Sequence, residues 1–295
     1  MRGFYVIILL TISVLINGCG SLGHISRLSE EAEKAYEAGD YERALIAYQE
    51  VIDAERGQNR SVDGQIYRRA GYSAYQTGDT DRAIEYMEFA RHTEAADEKT
   101  FAVLAKSYRE IDNLSREITN LERYVELHPE GEEFVEMQRR LFETLVESMN
   151  WHQAHDLWPQ LSGEPYKDEG LMADYVLVNQ ALGYDDKAAD LSEKVLDLNL
   201  YNKIALDFLG RKHFNEAVSR YNREMRAYES NRTHRQYAQL LEALEIVNTD
   251  LRIALNYFTR LYEQDPKPEY AGFLANIYER FQDEERARYY RRRAE

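Results

Sequence analysis

The segments GDYERALIAYQEVI (residues 39–52) and GDTDRAIEYMEFAR (78–91) share one layout. Each opens on Gly-Asp, places Arg-Ala four residues on, and sets a large apolar or aromatic residue four after the alanine. A third copy, IDNLSREITNLERYVELHP (111–129), keeps the apolar spacing and closes on Pro129. Upstream of each lies a second amphipathic stretch: EEAEKAYEA, RRAGYSAYQT and FAVLAKSYRE. Apolar residues three and four apart mark a helix with one buried stripe. A short helix pair cannot cover its own stripe, so units of this kind must stack on one another. This recurrence constrains the fold more than any other feature, because it demands an all-helical array. Glycine (15 copies) and proline (5 copies) are scarce in the 295 residues, which agrees with long helical content.

Registered on the alanine of the second helix, the pattern runs Ala44, Ala83, Glu117, Ala154, Ala188, Ala217, Ala254 and Ala287, at intervals of 29 to 39 residues. Four residues later stand Tyr48, Met87, Leu121, Trp158, Ser192, Tyr221, Phe258 and Arg291. A small residue followed by a large aromatic recurs on the first helix as Ala105 with Tyr108, Ala205 with Phe208, and Ala275 with Tyr278; Pro129 and Pro266 close two units. These residues resemble the tetratricopeptide repeat over 28–295. The resemblance implies an all-α fold, a right-handed superhelical solenoid of about eight antiparallel helix pairs whose first helices line a concave wall. Two places depart from it. Glu117 fills a slot that should be small and buried, which implies a splayed third repeat or an outward-turned glutamate. The units around Ser192 and the short 188–217 interval match least well. At the other end the chain runs out at RARYYRRRAE, inside the last second helix, with no solvating helix after it; the uncovered face is expected to carry the charge of Arg288 and Arg291 to Arg293, or to dock on a partner.

The repeat phase puts Tyr36, Arg68, Tyr72, Tyr75, Lys106 and Arg109 on the concave wall, with Glu33 beside them. Arginine grips carboxylates and tyrosine offers flat contact area, so these residues are candidates for holding a peptide or a partner protein. The same residues also suit a solvated wall with internal Arg–Glu pairs. Some members of the family grip a C-terminal carboxylate with a Lys-Asn-Arg clamp. Ser29 and Glu33 stand where its first Lys and Asn would be, and the clamp is not carried over.

The N-terminus addresses where rather than what. MRGFYVIILLTISVLINGC carries Arg2, an apolar run from Phe4 to Ile16, then Asn17-Gly18 before Cys19, the single cysteine of the chain. That is the layout of a secretory signal over residues 1–18. The run would span roughly 20 Å as a helix, short of a hydrocarbon core of about 30 Å. Ile16-Asn17-Gly18-Cys19 resembles the bacterial lipobox, which implies cleavage before Cys19, lipid (palmitate) on its sulfur and its new amino terminus, and a short linker over 19–27. The alternatives are an uncleaved anchor or an incidental thiol. Gly20 follows the cysteine instead of the aspartate associated with inner-membrane retention. In a two-membrane host that makes the expected address the outer membrane, facing the periplasm.

Several chemistries are excluded or unsupported. A net charge of −16 offers no basic field for nucleic acid. No nucleophile elbow, phosphate loop or His-Glu-x-x-His motif is present. In WHQAHDLW, His152, His155 and Asp156 share one helical turn, but no third element supplies a further ligand. The expectation is therefore a non-enzyme with no metal or cofactor: a membrane-anchored scaffold of the bacterial envelope that captures proteins or peptides. Alternatives are a component of an outer-membrane assembly, secretion or motility complex, or a glycan- or peptidoglycan-binding module.

Overall fold

The computed structural model describes residues 23–295, whose regular structure is entirely helical. Fourteen α-helices follow in order: α1 (23–37), α2 (Tyr41–Gly57), α3 (Gly64–Gln76), α4 (Thr80–Ala90), α5 (Glu98–Glu110), α6 (Leu114–Leu127), α7 (Phe134–Glu147), α8 (Trp151–Leu157), α9 (Glu169–Ala181), α10 (Asp185–Leu198), α11 (Lys203–Ser230), α12 (His234–Gln264), α13 (Pro268–Arg280) and α14 (Glu284–Ala294). They form two compact units that divide within α7, after Thr144. Among the described residues no helix is long and apolar enough to cross a membrane. Cys19 and the expected signal segment lie outside the described residues. Helix α1 takes in residues 23–27 and buries Ile25.

The Gly-Asp signature is a turn. At Gly39, Gly78, Asp112, Met149, Gly183 and Gln282 the chain adopts a positive φ of 53–76°. The next residue returns its N–H to the carbonyl five residues back, as in Asp40 to Ala35 (3.0 Å), Asp79 to Ala74 (2.8 Å) and Asp283 to Tyr278 (2.9 Å). This is a Schellman closure of the first helix. The same Asp or Asn then opens the second helix: Asp40, Asp79, Asn113 and Asp283 accept from the backbone N–H groups of Arg43, Arg82, Arg116 and Arg286 at 3.0–3.2 Å. One two-residue signal thus stops one helix and starts the next.

Glycine adopts that φ without steric cost, whereas Met149 does not. The residue is 71 % exposed, so removing its side chain loses little packing. Met149→Gly is expected to stabilise the protein by about 0.5–1 kcal/mol, seen as a higher urea midpoint with an unchanged slope. A lower midpoint would contradict the turn assignment.

All eight slots of the alanine register are buried, none more than 3 % exposed. Small side chains there let neighbouring helices close up, and Tyr48, Met87, Leu121, Trp158 and Phe258 fill the space beside them, each at most 2 % exposed. Burying such a side chain stabilises the fold by roughly 1.5–3 kcal/mol. In the first unit the core runs through Ala44, Tyr48, Ile52, Ala70, Ala83, Met87 and Leu104. Gly71 marks a close approach within it, since a Cβ there would sit 2.8 Å from Cγ of Met87 and 3.1 Å from its backbone nitrogen. In the second unit Trp158 stacks on Tyr175 at 4.1 Å and Phe258 on Phe273 at 4.3 Å.

Glu117 neither splays its repeat nor turns outward. It is 1 % exposed and meets Arg140 of α7, whose Nε lies 2.6 Å and Nη2 3.3 Å from the two carboxylate oxygens. A guanidinium brought in by the following helix neutralises the charge, so a glutamate can occupy an alanine slot. Ser192 is equally buried and donates to the Ala188 carbonyl at 2.7 Å. Satisfied within its own helix, the hydroxyl behaves as a small core residue.

The fourteen helices make seven successive pairs, because two of the eight slots share one pair. Ala205 and Ala217 both lie on α11, 28 residues long, and Ala254 lies on the 31-residue α12. The sequence between Ala205 and Ala217 has no Gly-Asp stop. Its one glycine, Gly210, is buried under the Phe258 ring, and the helix continues through it. At the C-terminal end, Ala287 is buried while Arg291 pairs with Glu279 at 2.6 Å and Arg293 lies 3.6 Å over the Tyr289 ring. The last helix therefore presents a charged face.

Candidate functional site

Helices α1, α3 and α5 are the first members of the opening three pairs, and side chains from all three meet on one face. Near the end of α1, Tyr36 packs edge-on against Tyr41 (5.8 Å) and Tyr72 of α3 (6.0 Å); Tyr41 and Tyr72 meet at 5.6 Å. Each pair is T-shaped, a geometry that places ring edges against ring faces. Tyr36 and Tyr72 are half-buried, leaving part of each ring open. Burial raises the Tyr36 phenol above its usual range, which keeps that hydroxyl protonated and able to donate. Lys99, the second residue of α5, holds its ammonium 5.3 Å from the Tyr72 ring centroid. Such a contact contributes about 0.5–1 kcal/mol at an exposed site.

The expected groove cations are mostly engaged. Arg68 of α3 pairs with Asp97, the residue that caps α5; Lys106 of α5 pairs with Glu133, just before α7. Arg69 of α3 reaches back to Glu33 of α1, which also accepts from the Tyr48 hydroxyl at 3.0 Å. Burial works against the Lys106 charge, yet the Glu133 carboxylate outweighs it and the lysine is held above its ordinary range. Two of these cations thus meet a carboxylate on the next repeat, and the third meets one on the repeat before. Half-exposed pairs of this kind add little stability each, about 0–1 kcal/mol. Their effect is to fix the spacing and register of the face. Arg109 differs: it is exposed and has no carboxylate partner among the described residues. It borders a small cleft of about 130 Å³ lined also by Lys106, Glu117, Met137 and Arg140.

Of the six groove residues read from the sequence, Tyr36 and Tyr72 touch. Tyr75 lies close enough to Lys106 to act on its charge. Arg68 and Lys106 are tied into inter-repeat pairs, and Arg109 stays open. Sequence reasoning missed Tyr41 and Lys99. Both sit at helix starts, outside the stripe that helical phase assigns to the face. The residue after the Gly-Asp turn, which leans back over the first helix, is the signal for Tyr41.

The second unit has a larger cleft of about 700 Å³ between α10 and α12, lined by Leu196, Leu200, Ile253 and Tyr257 and flanked by Arg252 and Arg260. No sequence motif announced it, because its walls come from helices 50 residues apart in a region of weak repeat match. His155 Nδ1 lies 3.6 Å from Asp156 Oδ1, but among the described residues His152, His155 and Asp156 form no three-residue cluster close enough to share a metal ion. The His155 ring packs near Tyr184 (5.4 Å) and Tyr175 (6.0 Å), and Asp156 is 84 % exposed.

No family model matches the chain. The chain is 23 % identical over 122 residues to the unc-45 homolog B protein of Danio rerio, a match that covers 41 % of this chain and 13 % of that protein. Among solved structures it resembles YrrB, described as a TPR protein with an unusual peptide-binding site, at 16 % identity and a TM-score of 0.46 over 60 % of this chain and 87 % of that one. The C-terminal part of a TPR repeat-containing protein from Cytophaga hutchinsonii superposes with a TM-score of 0.52 at 14 % identity, covering 90 % of this chain and 93 % of that one. With the seven helix pairs and the buried alanine register, that likeness makes the fold a TPR-type helical repeat.

Proposed function

We propose that this protein is a non-catalytic scaffold that captures a segment of a partner protein on the face of α1, α3 and α5, and that Cys19 lipidation tethers it to a bacterial envelope membrane. The observation that carries the capture reading is the half-open tyrosine cluster of Tyr36, Tyr41 and Tyr72 with Lys99 over the Tyr72 ring; the exposed Arg109 lies farther along α5, at its own small cleft. Rigid aromatic surface beside open charge is the composition of a protein-binding hot spot. The partner segment that fits is extended, apolar or aromatic at its centre, and acidic toward the α5 end. The tether rests on the sequence alone, and the outer membrane, facing the periplasm, is the address that Gly20 favours.

Two substitutions separate the parts of the reading. Cys19→Ser should move the protein from the membrane fraction to the soluble one and leave partner capture intact. Tyr72→Ala with Arg109→Glu should do the reverse, weakening crosslinked partner recovery from solubilised membranes by about 2 kcal/mol in affinity or more. Undiminished recovery would move the binding site elsewhere. Strong binding to cell-wall sacculi with no protein partner would replace the scaffold with a glycan-binding role.

A further inference from the structure

The long hairpin of α11 and α12 carries a cluster that the scaffold reading does not use. His213 and Glu216 are three residues apart on α11, so they project from one face, and Asp250 faces them from α12. His213 Nδ1 lies 3.2 Å from Asp250 Oδ1, and the donor atoms of all three residues fall within 4.8 Å of one another. Two of the three are well covered, with side-chain exposures of 23 % for His213 and 15 % for Asp250. Donors on a four-coordinate zinc ion stand about 3.4 Å apart, given metal–ligand distances near 2.1 Å. The His213–Asp250 separation already meets that spacing, and a rotamer change brings in the longer Glu216 side chain.

We infer that His213, Glu216 and Asp250 form a three-ligand site for a divalent transition metal that staples α11 to α12. One imidazole and two carboxylates suit zinc or cobalt better than magnesium or calcium, which take oxygen donors almost exclusively. The location gives the staple a purpose. Beyond Ala217, α11 has no fully buried residue, so the hairpin continues on a thin seam of Leu240, Ala243 and Val247 from α12. The cluster sits where full burial of α11 ends. A metal there would lock the hairpin's register at the point where packing becomes sparse. Lys212 is the built-in competitor, with its ammonium 2.5 Å from Glu216. Metal binding must displace it, which makes the site weaker than the donor set alone would be.

The test uses the full chain in detergent, carrying Cys19→Ser so that no thiol competes, titrated with zinc chloride and followed by cobalt(II) absorption. One saturable equivalent is expected. His213→Ala and Asp250→Asn should each weaken binding by at least about tenfold, while Lys212→Met should tighten it. The absence of saturable zinc binding, or an affinity indifferent to His213 and Asp250, would reduce the cluster to an ordinary His–Asp pair and overturn the assignment. Should a ligand variant fail to fold, Lys212→Met decides alone: tighter binding supports the site, and equal or weaker binding overturns it.

Discussion

Arg140→Met is expected to destabilise the protein by about 3–5 kcal/mol, because it leaves the Glu117 carboxylate buried without its guanidinium. Glu117 is 1 % exposed, and its two oxygens meet Arg140 Nε and Nη2. Lys106 and Arg109 border the same small cleft, but it is the Arg140 guanidinium that hydrogen-bonds the carboxylate. The double variant Glu117→Met with Arg140→Met should recover most of that loss, since an apolar pair of similar volume avoids both desolvation penalties. Urea unfolding of the single and double variants measures the difference. Equal destabilisation in both would mean that the pair matters for its packing alone and not for its charge.

Phe258→Ala should cost about 3–5 kcal/mol, the usual range for emptying a large aromatic site in a packed core. Phe258 is 0 % exposed, stacks on Phe273 with a 4° tilt, and presses its edge on Gly210. Gly210 leaves no side chain that could swing into the void. In a repeat array each unit leans on its immediate neighbours, so the damage should stay local. Hydrogen exchange should show lost protection across α11 to α13, with α1 to α6 unchanged. Uniform loss through both units would contradict the nearest-neighbour account of this chain.

Much of the fold was legible because its signals are short-range. The Gly-Asp pair works as a turn within six residues, and the alanine register needs only helical periodicity. Both therefore survive in a single sequence, and every registered slot proved buried. What could not be read depends on residues supplied from elsewhere in the chain. Glu117 looked incompatible with its slot until Arg140, 23 residues later, supplied the opposite charge. Ala205 and Ala217 implied a turn between two helices, yet with no stop signal α11 ran on through Gly210.

The site was legible in residue type more than in role. Periodicity put Arg68, Tyr72, Tyr75, Lys106 and Arg109 on the faces of α3 and α5, but it has no means of finding that Asp97 and Glu133 take up two of those cations. Tyr41 and Lys99 escaped because helix starts fall outside the stripe that periodicity assigns. The clusters in the second unit depend on α10 to α12 packing across dozens of residues, which no local pattern encodes.

The most direct test of the central claim is site-specific photocrosslinking in the native host. A crosslinking residue would replace Tyr72 or Arg109 on the proposed face, and Ile46 or Tyr184, which are 57 % and 47 % exposed, as controls. The account predicts one discrete protein adduct from positions 72 and 109, absent from 46 and 184 and lost when Lys99 is reversed to glutamate. Adducts from the control positions with none from 72 and 109 would contradict it.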